Sequence, residues 1–388
     1  MTKTIVNIIT DNSPIPAYLF IKEMYNPGDR IMYISAKDTE DDLEWLSFID
    51  GVSTDFIDVI VLKHDIDEFK YEKICRAVKA YLKDDVYYCV NLAGGTRYMA
   101  LAVQHVFDEF TSDFFYTNLE DNTIIHSKFD KSIYDNDDLF YPIRYRMKIA
   151  EYLQAHELGN DLESSNHDPL LPFPFSKNMF ELFTQKHLTG HDFKILELLR
   201  MHYLNRKNGV PLSEIECPKV PKVPAAPDIR RFLKFVSFPF SDDMLAQEQL
   251  AWLSGGWFEE YVYYMVKVFV EPDDIALRVS VFRKGVPRNN ELDVMFIKNN
   301  RLYVIECKTG VSTERMFNDV VYKACALKES LFGLSCDSYI VSLKDDPTGN
   351  LKKIAMYMGI EFWDNNIVVN NLEQVLKDIK QQSAQWAT

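Results

Sequence analysis

Two short acidic segments near residue 300 contain the residue types that enzymes use to hydrolyse phosphodiesters. The first, Glu291 to Val294, reads Glu-Leu-Asp-Val, and the second, Glu306 to Gly310, reads Glu-Cys-Lys-Thr-Gly. Carboxylates hold divalent metal ions, and a lysine beside them polarises water and offsets the negative charge that develops on the phosphate. The two segments therefore predict a metal-dependent centre that cuts phosphodiester bonds.

Both segments lie on predicted β-strands that a short turn joins. Side chains alternate along a strand, so Glu306 and Lys308 project from one face of the strand Arg301 to Lys308. The preceding strand, Glu291 to Ile297, reaches it through a tight Lys-Asn-Asn turn that brings Asp293 beside Glu306. A buried structural Glu-Lys pair is the alternative, but burying such groups in an apolar strand is costly unless they are paired or metal-bound.

This arrangement resembles the PD-(D/E)XK nuclease superfamily, in which an acidic residue on one strand is followed by Glu-x-Lys on the next. Members often carry a further glutamate on a preceding helix, and the segment Gly256 to Glu260, Gly-Trp-Phe-Glu-Glu, is similar to that element. Of its two glutamates we select Glu259 over Glu260. The resemblance implies a metal-dependent endonuclease with magnesium or manganese as its cofactor.

The same resemblance implies a role for each residue of the centre. Asp293, Glu306 and the backbone carbonyl of Cys307 would ligate the metal. Lys308 would orient the attacking water and help to deprotonate it. Glu259 would complete the metal shell or bind a second ion.

A second group of residues, near the amino terminus, has the features of an anion-binding loop. The segment Asn91 to Ala100, Asn-Leu-Ala-Gly-Gly-Thr-Arg-Tyr-Met-Ala, lies between a predicted strand and a predicted helix. Glycines let the backbone approach a ligand closely, and free amides at a helix start attract phosphate. Another polar loop, Thr10 to Pro14, follows the first strand and reaches the same edge of the sheet. An ordinary strand-to-helix turn with a threonine cap is the alternative.

These loops resemble the CARF domain, which senses cyclic oligoadenylates in type III CRISPR defence, and Gly94-Gly95-Thr96-Arg97 is similar to its glycine-rich motif. Arginine stands here where lysine is common in the family. The resemblance implies a homodimer whose paired sensor domains enclose one cyclic tetra-adenylate as allosteric activator. The ligand positions that it implies are Thr10, Asn12, Ser13, Asn91, Gly94, Gly95, Thr96 and Arg97.

Strand-like and helix-like segments alternate over roughly the first 140 residues, which predicts an α/β fold with a Rossmann-like parallel sheet. From Tyr145 the pattern becomes helical, and Phe193 to Tyr203 with the residues after it predicts either a winged-helix-like unit or a packing spacer. Closely spaced prolines from Cys217 to Pro227 exclude helix and favour an extended linker. We expect a CARF domain over residues 1–144, a helical connector and Pro-rich linker over 145–227, and a nuclease domain over 228–388.

The individual elements are predicted from apolar periodicity and from the residues that interrupt it. One or two helices are predicted from Asp242 to Val270, with an interruption at Gly255-Gly256. The predicted strands are Ile5 to Thr10, Arg30 to Ser35, Phe56 to Leu62, Val86 to Asn91, Phe114 to Thr117, Arg278 to Phe282, Glu291 to Ile297, Arg301 to Lys308 and Ser338 to Leu343. Other predicted helices are Leu43 to Ile49, Tyr71 to Leu82, Thr96 to Phe110, Phe180 to Thr184, Phe193 to Tyr203 and Arg315 to Leu331.

Composition sets limits on the kind of partner. A formal net charge of −15 over 388 residues argues against nucleic-acid binding by bulk electrostatics, so any such contact must be local. One candidate is the basic cluster Arg278, Arg283, Lys284 and Arg288, for which a solvated hairpin is the alternative. The six cysteines form no Cys-x-x-Cys pair, which indicates buried thiols. The apolar runs are too short for a membrane helix and the start lacks a signal-peptide cleavage site, so a cytoplasmic protein is expected.

The order of a CARF domain and then a PD-(D/E)XK domain resembles that of the CRISPR ancillary nucleases. The leading hypothesis is a dimeric nuclease of antiviral defence that a cyclic oligoadenylate activates, with single-stranded DNA, nicked duplex DNA or RNA as its substrate. One alternative is a ligand-controlled DNA-binding regulator whose nuclease-like domain does not cut. Another is a ring nuclease that degrades its own activator.

Overall fold

The structure is a computed structural model. It describes residues 2–9, 14–35, 51–62, 70–127, 140–205, 209–215, 226–241, 243–283, 290–310, 317, 320–322, 325 and 336–382, with the backbone alone at Asn205 and Arg283. Several predicted features lie outside the described residues, namely Thr10, Asn12, Ser13, Lys284, Arg288, the helix Leu43 to Ile49 and most of the helix Arg315 to Leu331.

The amino-terminal domain is a Rossmann-like sheet with helices on both faces, as the sequence predicts. Its strand order is β3-β2-β1-β4-β5-β6-β7. The parallel strands are β1 (Lys3–Ile9), β2 (Arg30–Ser35), β3 (Ile57–Val61), β4 (Tyr87–Asn91) and β5 (Ser112–Asn118). The antiparallel edge consists of β6 (Thr123–Ser127) and β7 (Phe140–Pro142). The helices are α1 (Ile15–Met24), α2 (Tyr71–Lys79) and α3 (Arg97–Phe107).

Strands β1 and β4 are neighbours at the centre of this sheet, and the chain leaves them in opposite directions along the strand order. This is the switch point where ligands bind open α/β sheets. The loop before α3 follows β4 at this point, so the fold places the glycine-rich segment where a ligand site is expected.

The middle of the chain is helical and includes a two-stranded ribbon. Its elements are α4 (Ile149–Ala155), β8 (Leu158–Asn160), α5 (Phe173–Thr184), α6 (Gly190–Asn205), β9 (Val210–Pro211), α7 (Ala226–Phe235) and β10 (Met244–Leu245). Strands β9 and β10 pair antiparallel. Leu199 and Ile229 from this segment share a hydrophobic core with Trp257 and Phe296 of the carboxyl-terminal domain. The segment therefore packs directly against the domain that follows it.

Helix α7 corrects one prediction about the Pro-rich stretch. The prolines were expected to exclude helix as far as Pro227, yet α7 begins at Ala226 and has Pro227 in its first turn. Proline fits there because amide groups of the first helical turn have no intrahelical partner.

The carboxyl-terminal domain is a mixed sheet of order β15-β14-β13-β12-β11-β8, flanked by helices. Its strands are β11 (Asp274–Arg283), β12 (Asn290–Lys298), β13 (Arg301–Lys308), β14 (Cys336–Ser342) and β15 (Glu361–Trp363). Its helices are α8 (Gln247–Ala251), a π-helical turn (Trp252–Gly256), α9 (Trp257–Phe269), α10 (Asn350–Tyr357), α11 (Asn365–Asn370) and α12 (Leu372–Gln382). Strand β8 joins this sheet from the middle segment and pairs with β11.

The hairpin of β12 and β13 matches its prediction closely. The two strands pair antiparallel, and the turn residues Asn299 and Asn300 have φ angles of 48° and 63°. Asparagine tolerates this left-handed backbone better than most residues, so the Asn-Asn pair fits a tight hairpin turn. The predicted interruption before α9 is also confirmed, because Gly255 has a φ of 147° inside the π-helical turn.

Candidate active site and ligand loop

The β12–β13 hairpin brings the acid, acid and lysine together. Val294 and Ile305 are paired in the ladder, so Asp293 and Glu306 lie opposite each other one step further along. Lys308 Nζ donates to Glu306 Oε2 at 2.9 Å and to Asp293 Oδ2 at 3.2 Å. Asp293 Oδ2 also accepts the backbone N–H of Cys307 at 2.7 Å. Both carboxylates are buried, Asp293 at 8% exposed and Glu306 at 5%.

Burial and mutual repulsion set the charges of this cluster. Burial, and then the negative charge of Glu306, raise the pKa of Asp293 to about 6 although Lys308 opposes the shift. Burial disfavours the charge on Lys308, but the carboxylates of Asp293 and Glu306 outweigh it and raise the lysine pKa above its usual range. Lys308 therefore remains an ammonium group that holds two carboxylates together.

The two glutamates of α9 have different surroundings. Glu260 is fully buried and accepts hydrogen bonds from Trp252 Nε1 at 2.8 Å and from the backbone N–H of Leu170 at 2.5 Å. Glu259 lines the cleft that also contains Lys308, as its selection from the sequence anticipates. Burial, and then the charge of Asp293, raise the pKa of Glu259 to about 8. Glu259 therefore belongs electrostatically to the acidic centre, whereas Glu260 supports the fold.

Arg278, a member of the basic cluster predicted for nucleic-acid contact, connects α9 to the sheet. Its guanidinium lies 3.6 Å from Glu259 Oε2 and 3.5 Å from Glu260 Oε1. Its φ of 52° is unusual for a strand residue. The neighbouring Leu277 exchanges hydrogen bonds with His167, at 3.0 Å from its N–H to the His167 carbonyl and 2.7 Å between its carbonyl and His167 Nδ1. The loop that contains His167 thus fixes the backbone from which Arg278 reaches the cleft.

The middle segment supplies a wall of the cleft that the sequence did not reveal. The cleft measures about 250 Å³, and Arg200, Tyr203 and Leu204 of α6 face Glu259 and Lys308 across it. Arg200 and Tyr203 are three residues apart and therefore share one face of their helix. That spacing, followed by Arg206 and Lys207 in the sequence, is the signal that could have identified α6 as a cleft wall.

The acidic pair has the donor chemistry that a divalent cation requires. Among the described residues, no three His, Cys, Asp or Glu side chains already converge as a metal site. The expected ligand set needs only two side chains, Asp293 and Glu306, together with a backbone carbonyl. Glu306 Oε1 is buried and has no hydrogen-bond partner among the described residues, which leaves a carboxylate oxygen available for a cation. The residues present therefore fit magnesium or manganese.

The glycine-rich loop packs tightly against β1. Gly94 and Gly95 have φ angles of 93° and 70°, a backbone that glycine adopts without strain. A Cβ atom on Gly94 would lie 2.4 Å from the Ile8 carbonyl oxygen, and one on Gly95 would lie 2.3 Å from Ile8 Cγ2. Thr96 caps α3, since its Oγ1 accepts the Met99 N–H at 3.1 Å. Both glycines are thus required by the loop itself.

Asn91 and Arg97 occupy opposite environments at this loop. Asn91 is fully buried, with Nδ2 donating to Asn7 Oδ1 at 2.9 Å and Oδ1 accepting the Ala93 N–H at 3.1 Å. Its amide therefore holds the loop to the sheet. Arg97 is exposed at the first position of α3, where its side chain is accessible to an anion. Thr10, Asn12 and Ser13 lie outside the described residues.

A Rossmann-like domain with a glycine-rich loop at its switch point, followed by a sheet with an acid, acid and lysine centre, defines a two-domain sensor and nuclease. Two family models match the chain in this order, the Card1 CARF domain over residues 4–152 and the Card1-like endonuclease domain over residues 246–381. Together they match well over half of the chain, which therefore belongs to the Card1-like CRISPR ancillary nucleases. The family expected from the sequence is confirmed.

Solved structures share this architecture. Protein VC1899 from Vibrio cholerae aligns with a TM-score of 0.69 and 19% identity over 99% of this chain and 97% of that chain. Can2 from Sulfobacillus thermosulfidooxidans, in complex with cyclic tetra-adenylate, aligns with a TM-score of 0.63 and 18% identity over 100% of this chain and 97% of that chain. A type III CRISPR defence DNA nuclease activated by cyclic oligoadenylate has a TM-score of 0.54 and 13% identity over 96% of this chain but 52% of its own. These alignments establish a common fold.

A search of curated protein sequences gives no match. Within the residues that the structure describes, no helix combines the length and apolarity needed to cross a membrane.

Proposed function

We propose that the protein is a metal-dependent endonuclease of type III CRISPR antiviral defence that cyclic tetra-adenylate activates. The observation that carries the cutting activity is the pair of buried carboxylates, Asp293 and Glu306, joined by the ammonium group of Lys308. The Card1-like endonuclease match over residues 246–381 supports the same activity. Single-stranded DNA, nicked duplex DNA and RNA are the proposed substrates.

Asp293, Glu306 and the backbone carbonyl of Cys307 are the ligands that we assign to magnesium or manganese. Hard divalent cations prefer such oxygen ligands, and Glu306 Oε1 has no competing partner among the described residues. When bound, the metal supplies positive charge against the developing charge on the phosphate and lowers the pKa of a water molecule. Glu259 would complete the shell or bind a second ion, with its carboxylate ionised there although burial raises its pKa to about 8 in the metal-free protein.

Lys308 acts on the water and on the phosphate. Its side chain is 28% exposed and lines the cleft, so the ammonium group can reach a substrate while its stem is held by β13. As an ammonium group it donates hydrogen bonds that orient the attacking water, stabilises the hydroxide that this water forms when it loses a proton, and offsets the charge that develops on the phosphate oxygens.

The activator site is assigned to the switch point of the amino-terminal sheet. Gly94 and Gly95 bring the backbone close to the ligand, Thr96 and the start of α3 present amide groups, and Arg97 adds a positive charge. Asn91 positions this loop, and Thr10, Asn12 and Ser13 contribute from the loop after β1. The Can2 complex with cyclic tetra-adenylate, which shares this fold, supports the choice of ligand.

We infer a cytoplasmic homodimer in which the sensor domains pair across a two-fold axis. A two-fold symmetric ring fits an isologous interface, because each copy presents the same loop to it. Helix α3 exposes Tyr98 and Leu101 beside Arg97, which is apolar surface of the kind that a subunit contact covers.

The proposed domain limits remain residues 1–144, 145–227 and 228–388.

Metal dependence is tested with matched aspartate variants. The wild-type protein with cyclic tetra-adenylate should cut labelled DNA or RNA in manganese and lose this activity in a chelator. Asp293→Asn should reduce the rate by about 100-fold or more, because a metal ligand is lost. Asp337→Asn, on β14 and outside the cleft, is the control and should retain activity. Cutting by Asp293→Asn at the wild-type rate would contradict the assignment.

A further inference from the structure

A second cavity adjoins the nuclease cleft. It measures about 460 Å³ and lies between the loop after β8 and the start of α8. Tyr203, Ala251 and Arg278 line both this cavity and the cleft that contains Lys308. The two spaces are therefore neighbours, and the Tyr203 side chain stands at their boundary.

The charges of the second cavity disfavour a phosphate and favour a neutral polar ligand. Asp168 and Glu248 line it, and the guanidinium of Arg278, which also lines it, is already paired with Glu259 and Glu260, so the carboxylates dominate and repel an anion. Asn166 and Gln247 contribute amide groups that can donate or accept hydrogen bonds, and Leu170 adds an apolar surface. A planar, uncharged group with hydrogen-bonding edges satisfies these conditions, which is the description of a nucleobase.

Tyr203 is held firmly enough to act as a platform. Its side chain packs partly against the core that α6 shares with the nuclease sheet. Its carbonyl accepts a hydrogen bond from Gln247 Nε2 at 3.2 Å, which ties α6 to α8. An aromatic ring fixed at the boundary of two cavities offers a surface on which a base can stack.

Arg200 supplies a positive charge on the side of Tyr203 that faces the nuclease cleft. It is exposed, lines the nuclease cleft one helical turn before Tyr203, and makes no ion pair among the described residues. Leu204, 69% exposed, continues the same wall. An arginine and an aromatic ring in one groove are the combination with which proteins hold a nucleic-acid strand by its phosphates and bases.

We propose that the second cavity receives the nucleobase of a nucleotide adjacent to the cut, with Tyr203 as its stacking surface and Arg200 bound to a neighbouring phosphate. This inference rests on the proposed nuclease function and adds a positioning site contributed by the middle segment. The base must be unpaired to enter the cavity, so the site also selects the local conformation of the strand.

The kinetic test separates the ring from the hydroxyl group of Tyr203. Tyr203→Phe keeps the ring and should change KM by less than about 2-fold, whereas Tyr203→Leu should raise KM by about 10-fold with a smaller change in kcat. Arg200→Ala should raise KM and weaken the dependence of KM on salt concentration. The control is Lys194→Ala, because Lys194 is an exposed lysine on the same helix and lies outside both cavities. Equal losses in Tyr203→Phe and Tyr203→Leu would overturn the stacking role.

An abasic substrate tests the cavity itself. A single abasic nucleotide beside the cut should slow the wild-type protein about as much as Tyr203→Leu does, and the two changes together should cost no more than either alone. Additive losses, or no loss with the abasic strand, would overturn the proposal.

A binding assay gives a readout that does not depend on cutting. An oligonucleotide with 2-aminopurine at the same position should lose fluorescence on binding to Asp293→Asn protein, because stacking quenches it. Adding Tyr203→Leu should abolish the quenching. Unchanged quenching in the protein with both Asp293→Asn and Tyr203→Leu would reject the base site. A wild-type protein that binds the oligonucleotide and quenches its fluorescence but does not cut it would reject the nuclease function alone.

Discussion

Glu259 and Glu260 are adjacent in the sequence but have different surroundings. Side chains of consecutive helical residues point about 100° apart, so α9 directs Glu259 into the cleft and Glu260 into the protein. Glu260 receives three N–H groups, from Trp252, Leu170 and Leu171, and contacts the Arg278 guanidinium. The chemistry of the cleft thus depends on which of two identical side chains faces Asp293.

These surroundings predict that replacing glutamate by glutamine has opposite effects on the free energy of unfolding at the two positions. Glu260→Gln should lower the free energy of unfolding by about 2 kcal/mol, because an amide cannot accept all the N–H groups that surround it and leaves Arg278 less well paired. Glu259→Gln should raise it, because a carboxylate near Asp293 is replaced by a neutral group. Urea denaturation of metal-free protein at pH 8 measures both. Equal destabilisation by the two variants would show that Glu259 has a structural role like that of Glu260.

The raised pKa of Glu259 gives stability a defined pH dependence. Its pKa is about 8 in the folded protein against an ordinary value of 4.5, so the folded state holds the proton more tightly than the unfolded chain does. The metal-free protein should therefore lose stability as pH rises from about 5 to about 8, by up to about 4 kcal/mol from this group. Unfolding measured in a chelator should show this loss, and Glu259→Gln should remove it. In the Glu259→Gln variant, part of the loss of stability below pH 6 should persist, because the pKa of Asp293 is also raised, to about 6.

The activator site that we propose is formed by a whole element, the glycine-rich loop, rather than by a single side chain. Gly95→Ala should weaken activator binding by 10-fold or more, because the added Cβ meets Ile8 in addition to an unfavourable φ of 70°. Gly51→Ala is the matched control, since Gly51 has a φ of 66° but open space around it. Calorimetric titration with cyclic tetra-adenylate compares the two variants. Equal affinities in Gly95→Ala and Gly51→Ala would remove this loop from the proposed pocket.

Elements with strong local patterns could be predicted from the sequence. Strand β2 has the predicted bounds, and the faces of β12 and β13 follow from the two-residue period that puts Glu306 and Lys308 together. Helix α1 was missed because Pro14 and Pro16 look like helix breakers, although proline is compatible with the first turn. Local periodicity was sufficient wherever one strand or one hairpin determined the geometry.

Contacts between distant segments could not be predicted in the same way. The ion pairs of Arg278 depend on the loop around His167, which lies more than 100 residues earlier in the chain. The same is true of Arg200 and Tyr203, which reach the cleft only because the middle segment packs on the nuclease core. The three-residue spacing of Arg200 and Tyr203 places them on one face of α6 but does not say what that face contacts, so the acidic centre was predictable from local patterns while its surrounding walls were not.

At the scale of the whole molecule, the two sheets share a hydrophobic core. Ile5 and Ile149 pack in the same cluster as Met295 and Leu302, which belong to the β12–β13 hairpin. The turn residue Asn300 is buried within this junction. The sensor domain is therefore in direct contact with the strands that position Asp293 and Glu306, which is a physical route by which a ligand can bias the cutting centre.

Asn300 forms the polar part of this junction. Its Oδ1 accepts the Met147 N–H at 2.9 Å, and its Nδ2 donates to Asn122 Oδ1 at 2.8 Å and to the Tyr145 carbonyl at 2.9 Å. Asn300→Gly keeps the left-handed backbone but removes these bonds, so it should reduce the ratio of activated to basal cutting by about 10-fold. Asn299→Gly, in the same turn, retains the backbone N–H that donates to Asp273 and is the control. An unchanged activation ratio in Asn300→Gly would exclude this contact from the coupling.

We propose that one protein contains both a cyclic oligoadenylate sensor and a metal-dependent cutting centre that the sensor controls. The most direct measurement is the initial rate of cleavage of labelled single-stranded DNA and RNA in manganese, with and without cyclic tetra-adenylate, by the wild-type, Arg97→Ala and Lys308→Ala proteins. Wild-type cleavage should require both metal and activator, Arg97→Ala should need a higher activator concentration, and Lys308→Ala should be inactive at every concentration. Cleavage by Lys308→Ala at the wild-type rate would show that this centre does not cut, and wild-type cleavage that is indifferent to the activator would show that the sensor does not control it.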